Sequence, residues 1–521
     1  MSSPDAVVVG AGPNGLVAAN LLVDAGWDVV VLEAQPEPGG AVHSDRSVHP
    51  AYVHDTFSSF YPLAAASPVI RGFDLESYGL VWEHAPAVVG TPYAEGGWAM
   101  LHRDRERTAD EMERQHAGDG RAWLRWCEQW DAVGDGMIRA LLSPFPPVRA
   151  GLSLAGPFAR NGGRQLVRRL VAPAWDLAES TFGGRAPGLL LAGNAGHADI
   201  PMSAPGSGLM GWLLVMLGQQ LGFPVPRGGA GALSQALTDR LRAHGGVLRT
   251  STPVESVVVR QGRAVGVRTS TDETVPARRA VLADVSAPAL YGGLVGWDDL
   301  PTSLWRSMRG FEWDPATVKV DWALDAPVPW TDPPPQTPGT VHLLDSVAEV
   351  ERSRVEIRAG HLPRRPYLVM GQMAAADASR APTGGESLWA YTHVPRGRSW
   401  GARAGEHLAD RIEERIAEHA PDLARHVRAR RVLTPPDLEA RDANLVDGAI
   451  NGGTSSLHQQ LVLRPVPGLG RAETPVAGLY LASAAAHPGG GVHGACGSNA
   501  ARAALAHARL THPGPSRWRS P

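Results

Sequence analysis

The stretch AHPGGGVHGACG, Ala486–Gly497, sets His487, His493 and Cys496 among five glycines. Imidazoles and a thiol at that density could ligate a metal, exchange electrons through a disulfide, or move protons. A structural zinc needs four nitrogen or sulfur ligands, and no CxxC or second His/Cys pair accompanies these three. No metal site is expected. A redox disulfide would require Cys127, the one other cysteine, which falls in a helical stretch remote in sequence. What remains is a loop whose glycines let backbone N–H groups approach a bound group. His487 and His493 are its candidate acid–base side chains, with loop-ordering hydrogen bonds as the blander role for each.

A second glycine cluster opens the chain: DAVVVGAGPNGLVAANLLVDAGWDVVVLEAQPEPGGAVHSD. Gly10, Gly12 and Gly15 form GxGxxG, with Pro13 and Asn14 inside it. Gly10 permits a tight turn, Gly12 lets a pyrophosphate reach the backbone, and Gly15 lets helix and strand pack closely. The elements that must position them are legible. Ala6–Val9 reads as a buried parallel strand. Leu16, Ala19, Asn20 and Val23 share one face of a helix that ends at Gly26, and Asp28–Leu32 reads as a second strand closing on Glu33 and Ala34. A helix N-terminus favours phosphate, and an acid at the end of the second strand accepts from a ribose hydroxyl while disfavouring a 2′-phosphate. The register of strand, motif, helix, strand and acid makes the dinucleotide reading specific.

Two later segments have the same character. Pro224–Ser270 gives a helix with Leu233, Ala236, Leu237 and Leu241 on one face, then strand-like runs at Val247–Arg249, Val254–Arg260 and Ala264–Thr269, with a turn at Gln261-Gly262. Pro475–Leu510 gives a short strand at Leu479–Leu481, the glycine loop, and a closing helix over Gly497–Leu510.

Taken with Gly39–Gly40 and Ala41 just past Glu33, these segments resemble the glutathione-reductase-type flavoproteins, in particular the amine oxidase and phytoene desaturase branch. GLYL at Gly478–Leu481 followed by HPGGGV at His487–Val492 is similar to a phytoene desaturase subgroup, as are Ile450–Leu461 and Pro366–Leu388. The resemblance implies FAD rather than NAD, with Gly39–Gly40 lining it and the segment at TPVESVVV returning to the cofactor sheet. There the residue matching Val254 meets the adenine through its backbone. It places His487–Val492, with Gly490 and Gly491, beside the flavin ring. It also implies hydride transfer from a substrate C–H bond to flavin N5, a small and hydrophobic substrate, and a separate electron acceptor. One departure stands out: where the family has glycines, this chain has Ser483 and Ala485.

At 521 residues the chain exceeds one core, and net charge −3 gives no reason to expect nucleic-acid binding. The resemblance implies an α/β architecture: a Rossmann-like FAD-binding domain from residues 1–75, 225–295 and 440–521, interrupted by an α+β substrate domain from 76–224 and 296–439. The tail after His512 reads as loose. Two cysteines and no n-region or h-region before the first strand point to the cytoplasm. The apolar run Gly208–Gly222 falls short of the ~20 residues of a membrane span. It reads as a core helix first, with a cavity wall or peripheral membrane contact as the other options. His54 and Asp55, in YVHDTFSSFYPL, could poise a proton or merely shape a turn. Amine oxidation at a C–N bond, redox-neutral isomerisation on reduced flavin, and a non-catalytic FAD-binding scaffold are the competing functions.

Overall fold

The computed structural model describes residues 3–160 and 163–511, so the tail after His512 lies outside it. Ala6–Val9 is the central strand of a five-stranded parallel sheet ordered Leu479–Leu481, Ala280–Ala283, Ala6–Val9, Val29–Leu32, Val247–Arg249. Ala6, Val7 and Val8 are fully buried, as a strand covered on both faces requires. On one face helix Pro13–Asp24 packs between Gly231–Ala243 and Ala495–Thr511, with Leu16, Ala19 and Leu22 sharing a core with Leu237 and Ala501. The other face meets Val257, Val267 and Leu290.

One expectation is corrected here. Val254–Arg260 does not enter the parallel sheet; it forms a separate three-stranded antiparallel sheet with Arg263–Thr269 and Thr274–Pro276. The cause is local. Gln261 and Gly262 both take positive φ (50° and 71°), which closes a two-residue hairpin whose twist suits immediate antiparallel pairing. The preceding run, Val247–Arg249, takes the edge of the parallel sheet instead.

A seven-stranded sheet is ordered Val427–Leu433, Ala316–Leu324, Glu386–Val394, Leu368–Gln372, Pro338–Leu343, Ala87–Pro92, Trp98–Leu101, with Pro338–Leu343 and Ala87–Pro92 its parallel pair. Val318, Val320, Leu388 and Ala390 point to one face, against Leu408 and Ile412 of helix Ala402–Ala417. The opposite face carries Val369 and Trp389 and is roofed by helices that include Asp119–Leu142, Arg185–Ala195 and Ser207–Leu221. The chain is thus a Rossmann-like α/β unit of discontinuous segments joined to an α+β unit.

The run around Gly208–Gly222 is a core helix, not a membrane-facing one: Trp212, Val215, Met216 and Leu217 are buried. The glutamines that interrupt its apolar pattern have buried partners. Trp123 Nε1 donates to Gln219 Oε1 (2.8 Å) and Trp130 Nε1 to Gln220 Oε1 (2.7 Å). Among the described residues no helix is long and apolar enough to cross a membrane.

Candidate active site

The fingerprint loop leaves Ala6–Val9 with Gly10 at φ +93° and its N–H donated to Leu32 O. A side chain at Gly15 would overlap the Gly10 carbonyl, so the helix can sit against the turn only with glycine there. Glu33 closes the second strand, buried, with Oε2 accepting from Ala11 N (2.7 Å) and Oε1 from Gln35 N (2.8 Å). Ala34 follows it directly, and Gly39 N donates to Ala11 O, which brings the second glycine loop onto the first. A Cβ on Gly40 would lie 3.2 Å from Gly12 Cα. Ala41 O accepts from Ser58 Oγ. Val254 lies two residues beyond Thr252, whose N–H is donated to Glu33 O.

The sequence reading passed over two carboxyl groups at this point. Asp284, at the carboxyl end of Ala280–Ala283, accepts from Gly15 N through Oδ2 (2.8 Å). Burial, opposed by that hydrogen bond, pushes it up to about 8, and the nearby Asp442 and Glu33 add to the rise. Asp442, whose Oδ2 would lie 3.3 Å from a Cβ on Gly40, is pushed up to about 6 by burial. The signal that could have found Asp284 is its place, since ligands in such sheets bind beyond the carboxyl ends of strands.

The second loop is tied to the first through the closing helix. Any side chain on Gly497 would run into the Asn14 carbonyl, so Ala495–Thr511 crosses directly over the start of the fingerprint helix. Cys496 is a buried thiol, pushed up to about 12 by desolvation, that donates to Ala486 O and Gly489 O. It braces the loop and forms no disulfide; Cys127 is buried and free elsewhere. His493 orders the helix start, with Nδ1 accepting from Ala495 N (3.0 Å), and burial takes its ring down to about 4. His487 differs. Both ring nitrogens are buried and make no hydrogen bond of ordinary geometry, Phe145 stands edge-on at 5.8 Å, and desolvation lowers its pKa against the opposing pull of the Ser143 and Leu141 backbone. Gly490 lies against Asn451, and Gly491 against Leu63 and His493. Val492 packs against the core shared with the fingerprint helix. At the position of the missing family glycines, Ser483 Oγ accepts from Ala485 N.

Buried polar atoms without partners gather along the path between the two loops: Asn14 Oδ1, Asn451 Nδ2, both amide atoms of Asn499, and the His487 nitrogens. Each unmade hydrogen bond there costs about 1–3 kcal/mol unless a ligand supplies the partner. A ligand rich in hydroxyl and carbonyl groups, with phosphates at one end and a heteroaromatic ring at the other, fits the set. Arg464, fully buried, holds one wall by donating to the carbonyls of Asn451, Gly452, Thr454 and Ala484.

His54 and Asp55 are not on this path. Asp55 Oδ1 accepts from Ala230 N and Arg380 Nη1, and His54 Nε2 lies 3.1 Å from Trp322 O, so both serve a buried network that joins the two units. Lys319, the one lysine of the chain, belongs to it, donating to Asp55 O and pairing with Asp321. Beyond Leu63 an aromatic wall begins. Phe60 lies 6.0 Å from Trp389, whose ring is nearly parallel to that of Tyr391 on the same strand. His197 sits 3.4 Å from Tyr391 OH and 2.9 Å from His342. Burial takes His197 and His393 down to about 4 and His342 lower still, so these imidazoles are neutral near pH 7. Among the described residues no cluster of His, Cys, Asp and Glu could hold a metal ion.

Fold and loops together define a dinucleotide-binding flavoprotein. The profile of the flavin containing amine oxidoreductases matches residues 149–505, and that of the NAD(P)-binding Rossmann-like domain matches 8–73. The chain belongs to the flavin containing amine oxidoreductase family, and its cofactor is FAD. It is 29% identical over 548 residues to the mouse (Mus musculus) pyridine nucleotide-disulfide oxidoreductase domain-containing protein 2, covering 95% of this chain and 92% of that one. It is 24% identical over 538 residues to a neurosporene-forming phytoene desaturase of Rhodobacter capsulatus, covering 95% and 92%. Among solved structures, an oxidoreductase from Methanosarcina mazei superposes with TM-score 0.60 at 16% identity, over 96% of this chain and 99% of that one. Putrescine oxidase bound to putrescine gives 0.59 at 17%, over 98% and 99%.

Proposed function

We propose that this FAD-dependent oxidoreductase dehydrogenates a C–H bond of an apolar small molecule held between the His487–Val492 loop and the Phe60–Trp389–Tyr391 wall. The observation that carries the reading is the run of partnerless polar groups from Asn14 to His487, with a wall of packed aromatic rings beyond it. Bound there, FAD would supply the hydride acceptor at N5 and pass the electrons on to a separate acceptor. The chain's residues have distinct tasks. The N–H groups of Gly12 and Asn14 face the phosphates, those of Gly10, Ala11 and Gly15 being held by Leu32, Glu33 and Asp284, and Glu33 takes the adenosine ribose. Asp284, protonated below about pH 8, can lie beside a diphosphate without charge repulsion. Gly39, Gly40, Ala41 and the Val254 backbone line the adenosine half, and Gly490, Gly491 and Val492 bring N–H groups to the flavin carbonyls. His487 is the loop side chain with free ring nitrogens, able to accept the proton lost from substrate.

Neutral histidines and packed aromatics favour an apolar substrate over a cationic amine, and the ionised carboxylate across the strand from Trp389, Asp321, is already paired with Lys319 and Arg431. Anaerobic bleaching of the bound flavin by a panel of isoprenoids, amines and hydroxy compounds tests this. Bleaching by isoprenoid hydrocarbons supports the reading; bleaching by amines alone overturns it. His487→Gln should keep the flavin and slow the bleaching step, whereas unchanged kinetics would remove His487 from proton transfer.

A further inference from the structure

Large apolar side chains stand exposed in one region far more than elsewhere. Thirteen are exposed in the described structure, and eight lie in two short segments: Val148, Leu152, Val167, Val171 and Trp175 in the first, Leu457, Leu461 and Val462 in the second. The segments touch. Gly206 N donates to Val171 O, and a Cβ on Gly206 would meet Leu457. Val462 lies against Gly470, and the adjoining Arg471 donates to Phe145 O.

Helix Val148–Arg160 has no buried residue, yet it is apolar on two sides. Leu154 and Phe158 lean on the core, while Val148, Leu152, Ala155 and Ala159 form a second stripe at helical spacing turned to solvent, with Leu152 73% exposed. Helix Gly163–Leu170 repeats the arrangement with Arg164, Val167, Arg168 and Arg169 exposed. Charge follows the same boundary. Between Asp135 and Asp176 there are six arginines and no acidic residue, and between Asp447 and Glu473 there is again no acid, although the whole chain is net negative. Apolar side chains rimmed by arginines, on helices lying along a surface with Glu312 at one edge paired to His458, fit the interface of an anionic bilayer: methylenes enter the acyl boundary and guanidinium groups pair with phosphates.

We infer that the face formed by residues 148–160, 163–175 and 457–471 docks this protein on an anionic lipid surface. The face begins beside the flavin loop: Phe145, three residues before Val148, packs edge-on against His487. A substrate dissolved in the bilayer would therefore have a short path to the site, a corollary that rests on the apolar-substrate reading above.

Docking is tested without turnover, so its failure is separable from failure of that reading. The full-length holoprotein is floated with vesicles of phosphatidylcholine alone and of phosphatidylcholine with one third phosphatidylglycerol. Binding to the second, released by high salt, is expected. Neutralisation of Arg164, Arg168 and Arg169 together by glutamine should lower the partition coefficient on the order of a hundredfold, at about fivefold per arginine. Leu152→Asp with Val167→Asp should abolish retention, whereas Trp297→Ala, an exposed aromatic elsewhere, should leave it unchanged. Circular dichroism of each variant verifies folding. No binding to anionic vesicles at low salt, or binding that survives both sets of substitutions, overturns the inference. So does concentration-dependent self-association that the substitutions abolish, since that would make the face a protein interface.

Discussion

Asp284 shows how much one side chain can set at this site. Its carboxyl is held against the N-terminus of the fingerprint helix, where burial raises its pKa most, the Gly15 N–H opposes the rise, and Asp442 and Glu33 add to it. Its pKa climbs from 3.8 to about 8, so between those values the folded chain keeps a proton that the unfolded chain releases. Stability therefore falls as pH rises through that window, and the loss is complete above about 8. A shift of this size sets a ceiling of about 6 kcal/mol. Asp284→Asn should remove the dependence: measured on apoprotein, its Tm advantage over the parent should widen from pH 5 to pH 9, and a constant difference would show that the group is not buried as described. Gly12 gives a steric counterpart. A Cβ there would stand 2.8 Å from Asp284 Oδ2 and in the path of a phosphate, while the backbone (φ −67°, ψ 173°) suits any residue. Gly12→Val should lower Tm, since the buried Asp284 carboxyl must shift, yet still fold by circular dichroism and purify without flavin absorbance; full flavin content would mean that phosphate does not approach at Gly12.

At the scale of elements, Arg464 links loop Asn451–Thr454 to the turn at Ala484, giving five hydrogen bonds to carbonyls and lying 1% exposed. Arg464→Met would orphan several buried carbonyls at about 1–3 kcal/mol each, so a loss of roughly 3 kcal/mol or more is expected by urea denaturation. Arg464→Lys keeps the charge but not the fork and should fall between; equal losses for both would assign the effect to the fork alone. Arg464 also marks what the sequence could not disclose. Strand Ala6–Val9, helix Pro13–Asp24 and strand Leu479–Leu481 were legible because glycine turns and β-branched runs encode them locally. Val254–Arg260 was legible as a strand, but its sheet depended on whether a two-residue hairpin outcompeted a longer return. Arg464, Asn451, Asn499 and Asp442 had no local signature, since each matters through a contact between segments distant in the chain. Likewise, the exposed stripe of Val148–Arg160 has the same composition as a core-facing one, and only the packing of Leu154 tells the two sides apart.

For the whole molecule, the site ties together the ends of the chain. Asn14 and Gly497 touch, Glu33 and Asp284 flank the same turn, and Asn451 meets Gly490. Occupancy should therefore stabilise the fold, and the two halves of the ligand should do so unequally. ADP reaches the fingerprint loop and Glu33 but not the partnerless groups at Asn451 and His487. A ligand at 100 times its Kd adds about 2.7 kcal/mol to the folded state, a shift of a few degrees in a chain of this size. Titrating apoprotein with FAD should raise Tm steadily with concentration. ADP at equal concentration should give a smaller rise, because the polar atoms near His487 stay unpaired and the weaker ligand is further from saturation. Arg464→Lys, which disturbs the Asn451 wall and leaves the phosphate loop intact, should bring the FAD curve down toward the ADP curve without moving the latter. Equal shifts for FAD and ADP in the parent protein would mean that the loop His487–Val492 makes no contact with the flavin, and with that the substrate wall would lose its partner.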